Sequence, residues 1–280
     1  MSKKSVITVT FGDSGENHVG NQQVGTKVQE GEGFTLEDFQ QTKEYIERRY
    51  PNVKVTIHNL KELLVDNIGD KNTNETITPG MLDYLPDAVF IEITGLIPDE
   101  LADETERELS ILEWDRKYWD TRRQKVLNKR ARKNLLFDKF NQKPDYENGK
   151  GTIVSFERLP NLSKVKAIIS EVFGAKGKEL IGEGNGYDDR TKNGIGYHGD
   201  AERLKVIALR LNEADETGDR GTMPICFQWY IRSKRIGKMF RRDIAHGTVY
   251  GMSEYTTGFN WRFRSQYTLR HAAGANKYIK

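Results

Sequence analysis

Beyond residue 180 the chain is cut into short β-like segments, at 180–183, 206–211, 225–231, 248–252 and 266–270, separated by polar, turn-rich stretches. Many short strands at roughly regular spacing fit a sandwich or jelly roll, where each strand has one buried face. The first part reads differently. Ser5–Phe11 alternates as a strand and runs into a polar, Gly-rich loop from Gly12 to Gly33. Thr35 with Asp38 opens a helix with a capping-box start, and Pro51 ends it. Strands are expected at Val53–Ile57 and Ala88–Thr94, with a short helix at Leu60–Val65 and a turn-rich stretch at Asp66–Pro79. That order suggests a small α/β layer with parallel strands. Residues 99–133 read as a charged helical connector without a Pro/Gly linker, and Ser163–Phe173 as an amphipathic helix. The expected fold class is therefore α+β, with a first unit at 1–114 of unknown role and a β-rich unit at 115–280.

Composition narrows the classes. At 280 residues, 36% hydrophobic and 30% charged, the chain can bury two modest cores or one large one. It has no apolar run of bilayer length. The apolar run after Met1-Ser-Lys-Lys-Ser5 is too short for a signal peptide. A single cysteine, Cys226, forbids an internal disulfide and points to a reducing, intracellular compartment. In its β-like surroundings Cys226 reads as a small core side chain rather than a nucleophile. One cysteine and five histidines exclude zinc-finger chemistry.

The net charge of +3 is small but unevenly spread. Nine of the eighteen residues in Arg116–Lys133 are Arg or Lys, with Asp120 the only acid, and a second basic cluster fills Arg232–Arg242. Such clusters can neutralise phosphates; each alone can equally be a solvated helix face or an exposed hairpin. The loop Phe11–Gly20 follows a strand but lacks the spacings of a phosphate cradle, so a surface loop or one packed on the other unit is the better reading, and His18 is then an ordinary loop residue.

One motif carries chemistry. In Ile195-Gly-Tyr-His198-Gly-Asp200 the histidine and the aspartate are two apart, so on an extended strand they share a face. They offer two-thirds of a 2-His-1-carboxylate site, which holds Fe(II) and leaves positions open. A bare H-x-D can also be a surface turn. Here a Gly-rich approach leads into it, and Val206–Leu211 follows as a strand.

Together with Asn185-x-Tyr187 upstream and Glu202 just beyond, this motif resembles the AlkB-like Fe(II)/2-oxoglutarate dioxygenases, over roughly residues 125–280. Ala131–Phe137 and Pro144–Tyr146 sit where that family has its lid strands. Ile244–Tyr250 is similar to its His-Gly turn, and Arg264–Arg270 to its closing Arg-rich strand. The chain also resembles a group of two-domain proteins of large viruses and protists that end in Thr-Leu-Arg-His-Ala-Ala-Gly.

The AlkB-like resemblance implies a double-stranded β-helix at 115–280, with Fe(II) as metal and 2-oxoglutarate and O2 as cosubstrates. It implies Asn185 and Tyr187 as cosubstrate hydrogen-bonding groups and Glu202 as a substrate contact, although Glu202 can also be a surface residue beside Arg203. A nucleobase of DNA or RNA would be the substrate; a protein side chain, a small molecule or mere nucleic-acid binding are the alternatives. Two histidines follow the H-x-D pair. His246 matches a turn residue, so His271, near the end of the strands and followed by small residues, is the expected third ligand. The cosubstrate's far carboxylate calls for a guanidinium partner. Arg264 and Arg270 match the family's positions, and Lys277 is the fallback. Trp229, Tyr230, Phe259 and Trp261 are candidates to stack on a flipped base, or simply to pack.

Overall fold

The computed structural model describes residues 4–64 and 79–280. In chain order its strands begin with β1 (Val6–Gly12), β2 (Ser14–Glu16), β3 (Gln23–Gly25), β4 (Lys54–Asn59) and β5 (Val89–Thr94). They continue with β6 (Lys117–Asp120), β7 (Lys125–Asn128), β8 (Lys133–Asp138), β9 (Ile153–Ser155) and β10 (Ile181–Tyr187). The remainder are β11 (Gly194–His198), β12 (Val206–Asn212), β13 (Thr222–Ile231), β14 (Lys234–Ala245), β15 (Val249–Met252) and β16 (Thr268–Gly274). The longer helices are Leu36–Arg49, Asp99–Ser110 and Pro160–Val172. The protein is thus a mixed α/β, sheet-rich molecule.

The large sheet has the order β4-β5-β15-β12-β1-β10-β8-β9 and is antiparallel except for the β8–β9 pair. A second, four-stranded antiparallel sheet runs β11-β16-β13-β14. Alternation in β1 explains the layering. Ile7, Val9 and Phe11 join a core built with Phe39, Ile46, Ala102, Leu109, Leu162 and Ile169 of the helices. The opposite face of the large sheet contributes Phe90, Val206, Ala208 and Tyr250 to a core shared with Ile225, Phe227, Trp229 and Leu269 of the small sheet. Helices, large sheet and small sheet therefore stack in three layers, compatible with a β-sandwich covered on one side.

Several expectations change. The boundary at 114/115 does not separate two sheets, because β1, β4 and β5 lie in the same sheet as β10, β12 and β15. The parallel layer expected in the first part is antiparallel: β4 pairs with β5, and β1 pairs with β10 and β12 instead of either. The helical connector ends at Ser110, and β6 and β7 form a hairpin in which Tyr118 faces Leu127 and Trp119 faces Val126. Such cross-strand pairs of aromatic and aliphatic side chains favour sheet over helix. Ala131–Phe137, matched to a lid, runs largely as β8 inside the large sheet.

Other elements form as read. Thr35 caps its helix, with its hydroxyl accepting from Asp38 N–H (3.2 Å) and the Asp38 carboxylate accepting from Thr35 N–H (2.8 Å). The short helix expected at Leu60–Val65 is a 3-10 turn over Leu60–Leu64. Val65, and the stretch at Asp66–Pro79 except its last residue, lie outside the described residues. Among the described residues no helix is long and apolar enough to cross a membrane.

Phe11 is fully buried, so Phe11→Ala is expected to lower stability by about 3–5 kcal/mol in denaturant titrations. A fragment spanning 115–280 would leave β10 and β12 without the strand between them. It is expected to lack a cooperative thermal transition, and a sharp transition in that fragment would contradict this architecture.

Candidate metal centre

Strand β11 brings His198 directly opposite His271 of β16, after a register shift between Ile195 and His198. The two rings lie 4.5 Å apart between centroids. Asp200 follows on the loop after β11, its N–H donating to Thr257 O (2.9 Å). Its Oδ1 lies 3.7 Å from His198 Nε2 and 3.6 Å from His271 Nε2. His198, Asp200 and His271 thus form a His–Asp–His triad whose donor atoms all fall within 4.8 Å of one another.

The protonation states suit a cation. His198 Nδ1 lies 2.8 Å from Gly196 O, so the proton sits there and Nε2 keeps its lone pair for the cavity. Burial, then His271 alongside, push the His198 pKa down to about 4, so the ring is neutral at physiological pH. Burial pushes the Asp200 carboxyl up, but His271 and Arg203 outweigh it and hold it well below the usual carboxylate range. Two imidazoles and a carboxylate match the donor set of a 2-His-1-carboxylate site.

The triad opens into a cavity of about 410 Å³ between the two sheets. Asn185, Tyr187 and Glu202 line it, as does Trp261, alone among the four aromatics considered for stacking. Trp229 is buried with its indole N–H donating to Leu60 O (2.8 Å), and Tyr230 lies beneath Arg270. The loop after β1, expected at the surface or packed on the other unit, reaches the cavity through Glu16, His18 and Val19.

The expected carboxylate anchors lie elsewhere. Arg264 is exposed and does not line the cavity. Arg270 neighbours His271 on the strand and so points to the other face, where its guanidinium sits 4.1 Å from the Tyr230 ring centroid. Lys277 is exposed beside the Tyr278 ring. His246 is likewise remote from the triad, with Nε2 3.0 Å from Asp103 and Nδ1 accepting from Asn212 N–H.

The cavity contains an arginine that the sequence reading passed over. Arg210 of β12 is 0% exposed and lines the cavity; among the described residues no carboxylate pairs with it, and its polar neighbour is the buried Tyr250 phenol. It faces Thr8 across the strands, and Thr8 faces Asn185. A buried guanidinium without a carboxylate is costly, and an anion entering the cavity would offset that cost. The signal was a lone charge inside the apolar run Val206–Leu211.

On another wall stand Glu16, Glu183 and Glu202, with Arg203 between them. Burial, then the neighbouring Glu202, push Glu16 up to about 7. Burial also raises Glu202, against the pull of Arg203.

No family model matches the chain. It is 36% identical to the "Uncharacterized protein R156" of Acanthamoeba polyphaga mimivirus over 280 residues, covering 99% of this chain and 98% of the viral one.

Replacing His198, Asp200 or His271 by Ala is expected to abolish retention of a divalent metal after dialysis, with the circular dichroism spectrum unchanged. His246→Ala should keep its metal. Full metal content in His271→Ala would remove that residue from the centre.

Proposed function

The chain belongs to the same family as this mimivirus protein, and we propose that it is an AlkB-like Fe(II)/2-oxoglutarate-dependent oxygenase acting on a nucleobase of DNA or RNA. The observation that carries this reading is one cavity holding both the His–Asp–His triad and the buried guanidinium of Arg210, which no carboxylate among the described residues pairs. The two facing sheets are in keeping with a double-stranded β-helix. A cavity of about 410 Å³ also lies within the roughly 300–1,000 Å³ range of small-molecule sites.

Fe(II) bound to such a triad, with O2 and 2-oxoglutarate, supplies hydroxylation of a substrate C–H bond while the cosubstrate leaves as succinate and CO2. The chain's own residues do the positioning. Arg210 pairs with the far carboxylate of 2-oxoglutarate, its fork geometry matching both oxygens. Thr8, Asn185 and Tyr187 line the same cavity and offer hydrogen bonds. The buried walls keep bulk water from these charges.

A basic groove of about 700 Å³ supports a phosphate-bearing substrate. Its lining includes Arg123, Lys125, Arg130 and Arg132 and, among the described residues, no acidic one, and it shares His18 and Arg132 with the triad cavity. The Arg232–Arg242 cluster serves this less well. It lies in the turn after β13 and on β14, the edge of the small sheet away from β11. In this reading the hairpin groove neutralises backbone phosphates, while Trp261 and Glu202 meet the base inside the cavity.

The Fe(II)-loaded protein is expected to convert 2-oxoglutarate to succinate, and faster with an oligonucleotide present. No succinate from fully metal-loaded protein would end the oxygenase reading. Arg210→Gln should weaken 2-oxoglutarate binding at least tenfold, about 1.4 kcal/mol, measured by calorimetry, with Arg264→Gln and Arg270→Gln near wild type. Oligonucleotide affinity should fall steeply with salt, and neutralising Arg123, Lys125 and Arg130 should flatten that slope. Failure to bind oligonucleotides at low salt would leave a protein or small-molecule substrate.

A further inference from the structure

We propose that Arg203 is the positioning residue for the Asp200 carboxylate, drawing Oδ2 away from the cavity so that Oδ1 alone faces the two imidazoles. The inference rests on the triad being the metal centre. The two carboxylate oxygens have different neighbours: Oδ1 faces His198 and His271, whereas Oδ2 lies 3.8 Å from Arg203 Nε. That separation is an ion-pair contact, too long for a hydrogen bond, so it orients by charge.

Arg203 itself is held on several sides. Its side chain is 5% exposed, and Nη2 binds both Glu183 and Glu202, the latter at 2.7 Å. Nε also donates to Glu202 Oε1 (3.1 Å). Glu183 belongs to β10 of the large sheet, whereas Asp200 follows β11 of the small one. The guanidinium therefore bolts the metal-ligand loop to the facing sheet. The backbone next to it is fixed as well: Asp13, buried after β1, accepts from the N–H groups of Leu204 (3.0 Å) and Lys205 (2.8 Å).

The consequence concerns coordination number. A carboxylate free to swing can offer both oxygens to an ion and occupy a position that the chemistry needs open. A cation behind Oδ2 opposes that swing. Partners in this outer position typically change metal affinity 10–100-fold when removed. Lysine cannot reproduce the effect fully, because a point charge does not serve Glu183, Glu202 and Asp200 at once.

The test is a Co(II) titration of the full-length, metal-free protein, followed by visible d–d absorption, in wild type, His271→Ala, Arg203→Gln and Arg203→Lys. Arg203→Gln is expected to bind Co(II) at least tenfold more weakly and with shifted bands, and Arg203→Lys to fall between it and wild type. A residue that merely supports the fold would lower the thermal midpoint yet leave the saturated spectrum and affinity unchanged, and that result overturns the proposal. Should Arg203→Gln fail to fold, Arg203→Lys decides alone: wild-type affinity and bands in it are equally fatal. If His271→Ala binds Co(II) as well as wild type does, the triad is not the metal site and the proposal falls with it. If only His271→Ala loses binding while the Arg203 variants match wild type, the triad stands and the Arg203 role is refuted.

Discussion

Strand β1 is the member on which the rest of the molecule depends. It pairs antiparallel with β10 over seven residues and with β12 over six, closing the large sheet at its middle. One of its faces, Ile7, Val9 and Phe11, supplies the helix-side core. The other places Thr8 and Thr10 in the cavity. Just past its end, Asp13 holds the backbone at Leu204 and Lys205. A strand whose two neighbours begin 169 or more residues downstream carries a loop-closure cost. Burial of both its faces offsets that cost and ties the N-terminal segment to the strands that wall the cavity.

Charge inside this unit is separated rather than averaged. Arg210 stands alone at one side of the cavity, and Glu16, Glu183 and Glu202 gather around Arg203 at another. At low effective dielectric an uncompensated buried charge costs several kcal/mol, so neither arrangement is neutral background. Where partners exist they are used fully: Glu183 contacts Arg203, Arg132 and Asn185. Among the described residues Arg210 has no carboxylate partner, only the Tyr250 phenol beside it, whereas Arg203 is tied into the framework by two.

Local pattern made part of this legible. The capping box at Thr35, the stop at Pro51 and the alternation of the later strands depend on residues close in sequence, and the elements formed there. The His198–Asp200 spacing also survived, though by a different route. The strand ends at His198, and Asp200 reaches the same side from a loop. His271 was separable from His246 because His246 matches a turn residue, whereas His271 lies in a closing strand and is followed by Ala272, Ala273 and Gly274. What failed was non-local. Nothing in Val6–Gly12 says that its partners are β10 and β12, so the chain looked divisible at residue 114. Arg264 and Arg270 were placed by alignment with a family strand, but alternation next to an inward-facing His271 turns Arg270 outward. Arg210 was hidden by its own neighbours, since an apolar run reads as core even with a charge in it.

The loop that carries Asp200 shows how a non-repetitive segment can hold a ligand as firmly as a strand. Gly199 packs so tightly that a Cβ there would sit 1.9 Å from Gly258 O, and Gly258 itself has φ +72°. Two glycines are thus needed for the loops to touch, one for lack of side chain and one for its left-handed backbone as well. The contact is reinforced by the Asp200 N–H bond to Thr257 O. Asp13 fixes the far end of the same loop, and Arg203 its middle. With both ends tied through backbone groups, the aspartate has little freedom beyond rotation of its own side chain. That remaining rotation is the degree of freedom that decides whether one or both carboxylate oxygens face the histidines.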